Sequence, residues 1–165
     1  MDGQDVNAAR EIAALPPEAA GWVDHLGIAV ADLETGIRLW RDVLGLELER
    51  AEEVPTEQVK VAFLRLDRAT GRGHVELLQP TAPESAIAKF VAKRGPGLHH
   101  VAIAVADVAA ALRSCAEAGI EAIDTAPRVG AGGKQVAFLH PKSTGGVLIE
   151  LCAAAPPQGR QPIPA

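Results

Sequence analysis

The feature that most limits what this chain can fold into is that it repeats itself. DHLGIAVAD at residues 24–32 returns as HHVAIAVAD at 99–107, and VAFL at 61–64 returns unchanged at 136–139, both 75 positions on. At an offset of 74, Glu76 in VELL falls on Glu150 in IELC, and Gly45 falls on Gly119. Four anchors kept in one order mark a duplication. The period is too long for a solenoid, so the unit is a module of about seventy residues, doubled and fused.

Each copy has the same parts. WVDHLGIAV reads as a strand, Asp32 as the N-cap of the helix LETGIRLWRDVL, and Gly45 as its C′ stop. The second copy runs LHHVAIAV, Asp107, VAAALRSCAEA and Gly119. Three more strands follow in each half, near 46–53, 59–67 and 73–79, then near 120–124, 135–140 and 147–152. The reading is an α+β fold of two tandem βαβββ modules, repeat one at 21–80 and repeat two at 97–153, within one domain over 21–153. The linker 81–96 carries a helix at about 84–94, with Ile87, Phe90 and Val91 at helical spacing and Gly95-Pro96 as its end. Residues 1–20 lie outside the repeat and are expected to be a flexible extension or a short helix. Residues 154–165, rich in Pro, Gln and Gly, are expected to form a disordered tail.

At 165 residues the chain suits one compact domain, or two small halves sharing one core. Aromatics are 3% with no Tyr, so Val, Ile, Leu and Ala must build the interior. A net charge of −5 argues against nucleic acid as partner, because counterion release needs a positive face. No apolar run approaches the ~20 residues of a bilayer span, and the acidic, Pro-broken start resembles neither a signal nor a transit peptide. Cys115 and Cys152 sit in apolar periodic stretches and read as packing groups, so a reduced, cytoplasmic setting is expected.

Strand parity then sorts the polar residues, because alternate side chains face opposite ways. Leu26, Ile28 and Val30 form one face of the first strand, leaving His25, Gly27 and Ala29 on the other; Val101, Ile103 and Val105 leave His100, Ala102 and Ala104. On the last strand of each module Glu76 and Glu150 hold matching positions. A pseudo-twofold packing would bring His25, Glu76, His100 and Glu150 together on the inner face of one curved sheet. Two imidazoles and two carboxylates suit a divalent ion, Co²⁺, Mn²⁺, Ni²⁺ or Zn²⁺, with open positions for chemistry. A single strand histidine is commonly just a satisfied polar group; four such residues at duplicated positions are not so easily explained, and two buried carboxylates without a cation would be costly. Parity sends His99 to the opposite face from His100. His74 has no counterpart in the second repeat, and His140 precedes Pro141 at a strand end. GAGGKQ at 130–135 lacks the spacing of a phosphate loop and reads as a turn. Lys89, Lys93, Arg94, Lys134 and Lys142 are the positive groups available to an anionic substrate, with Lys134 and Lys142 the candidates for contact.

With these residues in place, the chain resembles the vicinal oxygen chelate superfamily, and within it the methylmalonyl-CoA epimerase family. The stretches are DHLGIAVADLE, VLGLELERAEEVPTEQVKVAFLRL, VELLQPTAPESAIAKFVAKRGPGLHHVAIAVAD and GAGGKQVAFLHPKSTGGVLIEL, spread over roughly 22–152. The resemblance implies a cupped, barrel-like mixed sheet around one metal, with His25, His100 and Glu150 as ligands and Co²⁺ the favoured ion. At the fourth ligand position, where some members have Gln, this chain has Glu76. Some members carry a glutamate on the third strand as one of two proton-transfer bases; the matching residue here is Val61. Glu150 is then one catalytic base and Glu76 a candidate for the other. The implied reaction interconverts the epimers of a small 2-alkylmalonyl thioester of coenzyme A, and the implied assembly is a homodimer. A glyoxalase I-like lyase acting on a glutathione hemithioacetal is the rival enzyme; a non-catalytic binding module of the same fold is the rival of another class.

Overall fold

The computed structural model describes residues 20–154, so the expected N-terminal extension (save Ala20) and C-terminal tail (save Ala154) lie outside the described residues. In chain order the elements are β1 (Ala20–Ala29), α1 (Leu33–Ile37), β2 (Glu47–Val54), β3 (Val59–Arg65), β4 (His74–Pro80), α2 (Ala86–Arg94), β5 (Gly97–Val105), α3 (Val108–Glu117), β6 (Arg128–Val129), β7 (Gln135–Leu139) and β8 (Ile149–Ala153). Helix α1 continues over Arg38–Val43 in wider π-helical turns, closed by the Leu44 N–H on Leu39 O at 3.0 Å, before Gly45 at φ 75° ends it. Both module helices begin as their sequences require: Asp32 Oδ1 accepts from Thr35 N at 2.8 Å and Asp107 Oδ1 from Ala110 N at 3.0 Å.

All eight strands form one curled half-barrel sheet in the order β2-β3-β4-β1-β5-β8-β7-β6. Each half pairs its first strand parallel to its last, β1 with β4 and β5 with β8, while β1 and β5 run antiparallel and join the halves. The helices cover most of the apolar faces read from the sequence, with Leu26 and Val101 outside the two clusters. Ile28 and Val30 pack with Ile37, Leu64, Val75 and Leu77 under α1; Ile103 and Val105 pack with Leu112, Cys115, Leu139 and Leu151 under α3. Helix α2, capped by Ser85, lays Ile87 against Val59, Val61 and Leu78 on the opposite face.

The expected strand at 120–124 does not form. An isolated bridge, Ala122 to Leu139, stands in its place, and the two-residue β6 pairs with β7 further along the chain. The partner strand is served in another way: the Phe138 N–H donates to the Asp124 carboxylate at 2.8 Å, and the Phe138 carbonyl accepts from Ile123 N at 2.7 Å. A side chain thus replaces a ladder bond, and Pro127 has no N–H to extend one.

Of the three register shifts along the β1–β5 seam, two match each other. Val23 pairs with Ile103 and His25 with Ala102, which leaves Asp24 as an extra residue on β1; Gly27 pairs with His100 and Ile28 with Leu98, which leaves His99 as an extra residue on β5. Shifted by the 75-residue offset, each bulge falls on the other.

Leu77 is fully buried in the cluster under α1. Leu77→Ala should lower the unfolding free energy by about 2–5 kcal/mol in urea titrations at unchanged slope, the usual result of an uncollapsed core cavity.

Candidate active site

Two rows of residues cross the middle of the sheet. In one, Gly27 stands between Glu76 on β4 and His100 on β5; in the other, Ala102 stands between His25 on β1 and Glu150 on β8. Small residues between large ones leave room for the rings. The fit is tightest at Gly27, where a Cβ would meet His100 Cε1 at 2.1 Å, so only glycine lets that ring lie across the strand. The four ionisable side chains are among the most buried polar groups described: 3% exposed for His25, 4% for Glu76, 5% for His100 and 6% for Glu150.

His25 Nε2 lies 3.1 Å from His100 Nε2, with Glu150 oxygens 3.8 Å from the first and 3.3 Å from the second. These three residues can offer one donor atom each within 4.8 Å of one another. Their spacing fits a divalent ion, since two imidazole nitrogens bound at about 2.1 Å and at right angles stand about 3 Å apart. Without an ion, the short nitrogen–nitrogen contact is an N–H···N hydrogen bond in which one ring donates and the other accepts. Burial favours the neutral ring, but the Asp24 hydrogen bond and the nearby Glu76 and Glu150 outweigh it and raise the His25 pKa. His100 is held well below the ordinary value by burial and by the charge on His25. The two lone pairs cannot face each other bare, so either a proton or a cation lies between the rings.

Of the four sequence-derived ligand candidates, the structure gathers three in this way. Glu76 stands at the other edge of the His25 ring, with Oε1 3.4 Å from Nδ1, the nitrogen that donates to Asp24 Oδ1 at 2.8 Å. The two carboxylates thus flank one imidazole from opposite sides. Burial raises both: Glu150 is pushed up to about 7, and Glu76 moves the same way against the pull of His25.

Above this floor opens a cavity of about 250 Å³ whose walls are Val59, Val61, Leu78, Ile87 and Phe138. Lys134 lines it, and its ammonium is bonded to Asp24, whose carboxyl it and His25 hold well below the usual range. Lys142 is exposed and does not line the cavity; its backbone N–H donates to His140 Nδ1 at 3.1 Å. Lys89, Lys93 and Arg94 are exposed on or near α2. His74 pairs with Glu49 at 3.1 Å, away from the cavity.

Three residues that the sequence did not single out as site groups belong to this neighbourhood. Arg128 lines the cavity, bonded to Glu57 and, at 3.3 Å, to Asp124; nothing in its sequence context marked it. Asp24 and His99 touch the two histidines. The assignment of His99 to the opposite face is corrected: its Nδ1 is 2.9 Å from His100 Nδ1 and it lines the cavity, because the bulge breaks the alternation that parity assumes. The missed signal was in the repeat, since Asp24 and His99 fall on one another at the offset of 75.

Comparison with known proteins agrees with this geometry. Residues 24–138 match the Glyoxalase/Bleomycin resistance protein/Dioxygenase superfamily. The mitochondrial methylmalonyl-CoA epimerase of Mus musculus is 39% identical over 79% of this chain and 72% of its own length. The ethylmalonyl-CoA/methylmalonyl-CoA epimerase of Cereibacter sphaeroides is 38% identical over 79% of this chain and 96% of its own. The chain belongs to the methylmalonyl-CoA epimerase family. Its fold matches that of a Streptomyces coelicolor methylmalonyl-CoA epimerase variant, solved in complex with 2-nitronate-propionyl-CoA, with a TM-score of 0.78 at 35% identity over 84% of this chain and all of the other. Against the epimerase family pattern, Val61 is 1% exposed in the cavity wall, so β3 supplies no carboxylate there and that wall stays apolar.

Two outcomes follow from the geometry. Gly27→Val should displace the His100 ring and weaken binding of Co²⁺ or Zn²⁺ about 10–100-fold in a chelator-competition titration. Burial holds the His99 pKa at about 4 against an ordinary 6.5, so between these values the unfolded chain takes up a proton that the folded chain refuses. That stabilising contribution is complete above pH 6.5 and fades as the pH falls towards 4. Urea midpoints of the metal-free protein should therefore drop more steeply across this window for wild type than for His99→Phe.

Proposed function

We propose that this chain interconverts the (R) and (S) epimers of methylmalonyl-CoA with the help of one divalent ion held by His25, His100 and Glu150. The observation that carries the reading is the convergence of those three donors on the floor of an apolar cavity in a member of this family. Co²⁺ is the favoured ion, with Mn²⁺, Ni²⁺ and Zn²⁺ as alternatives, since a set of two imidazoles and a carboxylate accepts any of them. When bound, the ion would supply a Lewis acid for the oxygens of the substrate and so favour the enolate charge that develops.

The chain's own residues do the rest. The carbon between a thioester and a carboxylate carries a weakly acidic proton. Epimerisation removes it from one face and returns a proton to the other, with no net change in atoms or electrons. Glu150 takes the proton through an oxygen not engaged as a ligand, acting as general base. Glu76, on the far side of the His25 ring, is the group assigned to the opposite face, and burial moves its carboxyl pKa upward, in the direction that favours delivering a proton. Val59, Val61, Leu78 and Phe138 enclose the acyl group and keep water from the enolate. Lys134 supports the site through Asp24, and Lys142, exposed outside the cavity, is available only to the distal, anionic part of the ligand. The reading includes a homodimer in a reducing, cytoplasmic setting, consistent with Cys115 and Cys152 both being free and buried. No helix among the described residues is long and apolar enough to cross a membrane.

The deciding measurement is deuterium incorporation from solvent into methylmalonyl-CoA. Wild type should exchange the α-proton and lose that activity with EDTA, regaining it with Co²⁺; Glu150→Gln should exchange about 10²–10⁴-fold more slowly while its circular dichroism is unchanged. Exchange by Glu150→Gln at the wild-type rate would refute its role as base. Turnover of a glutathione hemithioacetal without exchange of the malonyl thioester would favour the lyase, and binding of the thioester without exchange would favour a binding module.

A further inference from the structure

The two histidines at the centre are each preceded by a residue that a regular strand would turn away from them. In an unbroken strand, positions 24 and 99 would face the helices. The matched bulges prevent this: Asp24 and His99 are the extra residues of β1 and β5, and a bulge re-aims a side chain towards its neighbour's side of the sheet. Each then reaches Nδ1 of the histidine that follows it, Asp24 Oδ1 at 2.8 Å from His25 and His99 Nδ1 at 2.9 Å from His100. Each is in turn held by a group from elsewhere. Lys134, just before β7, is bonded to Asp24; Phe90, on α2, packs edge-on against the His99 ring with centroids 5.0 Å apart.

We propose that Asp24 and His99 are paired positioning residues, each placed by a bulge to hold the Nδ1–H of the following histidine so that both Nε2 atoms are turned to one cation. This rests on the metal reading given above. A histidine that ligates through Nε2 must carry its remaining proton on Nδ1, and the group that accepts that proton sets both the tautomer and the angle of the ring. In the first half the acceptor is a carboxylate. In the second it is a neutral ring, so His99 must keep its own proton on Nε2 and accept at Nδ1. The duplicated scaffold therefore keeps the function of the position while differing in its chemistry: His25 is polarised by a charge and His100 is not. Neither Asp24 nor His99 is a ligand of the proposed ion or a proton-transfer group; both act through the ring beside them.

The test uses the full chain labelled with ¹⁵N-histidine, together with wild type, His99→Phe and His99→Asn. Phe keeps a ring against Phe90 and loses the acceptor, whereas Asn places an amide oxygen near the former Nδ1. Without metal, ¹⁵N shifts should show His100 of wild type protonated at Nδ1 and bare at Nε2, a mixture of tautomers in His99→Phe, and the wild-type state in His99→Asn. Calorimetric titration with Co²⁺ should then show about a 10–100-fold loss of affinity in His99→Phe and recovery to within about threefold of wild type in His99→Asn, the range typical of groups that orient a metal-bound histidine. A bare Nδ1 on wild-type His100 would overturn the proposal, as would wild-type tautomer and affinity in His99→Phe. If wild type binds no divalent ion, it is the metal reading that fails, and the tautomer measurement, made in its absence, still decides whether His99 orients His100.

Discussion

Two imidazole nitrogens held 3.1 Å apart in a buried sheet, with a carboxylate beside them, cannot both present bare lone pairs and need a proton or a cation between them. Most of what is particular to this fold serves that requirement. The histidines come from β1 and β5, the strands that join the halves among the described residues, so the seam that makes one sheet of two modules is also the seam that makes the site. Each glutamate comes from the strand parallel to its own module's first strand, which places one carboxylate on either flank. Removing any one of these groups would leave its neighbours buried and uncompensated, the situation that destabilises most.

The two halves share a geometry and differ in chemistry. Gly27 matches Ala102, Asp24 matches His99, and the contact to His100 makes only the first of these exchanges obligatory on steric grounds. Near-symmetry of this kind suits a reaction whose reactant and product are related by inversion at one carbon, because an acid–base group is then wanted on each face. The departures from symmetry are where the site becomes specific: the Lys134–Asp24 pair lies on one side, Arg128 with its acidic partners lines the cavity, and Val61 closes a wall that in some relatives carries a carboxylate. Glu76 in place of an amide adds a second buried, titratable carboxyl beside the His25 ring, where an amide could neither take up nor release a proton.

Much of this was legible in the chain. The repeat specifies the βαβββ pair, the capping aspartates and stop glycines bracket the helices, and strand alternation puts Ile28 and Val30 against a helix and His25, Gly27 and Ala29 towards the interior. His25, Glu76, His100 and Glu150 follow from the same alternation together with their duplication. These are local or periodic properties, set by backbone stereochemistry and the burial of apolar groups, and they need no knowledge of what packs against what.

Tertiary structure alone decided the rest. Whether Glu76 joins the donor cluster or backs the His25 ring depends on how far β4 sits from β5, a distance that no spacing in one strand contains. The loss of the strand at 120–124 turns on Asp124 reaching Phe138, and the remoteness of Lys142 on the course of a turn. His99 is the clearest case. Alternation sends it outward, and a single unpaired residue in the register of two strands turns it inward, because a bulge is a property of the pairing and not of either strand by itself.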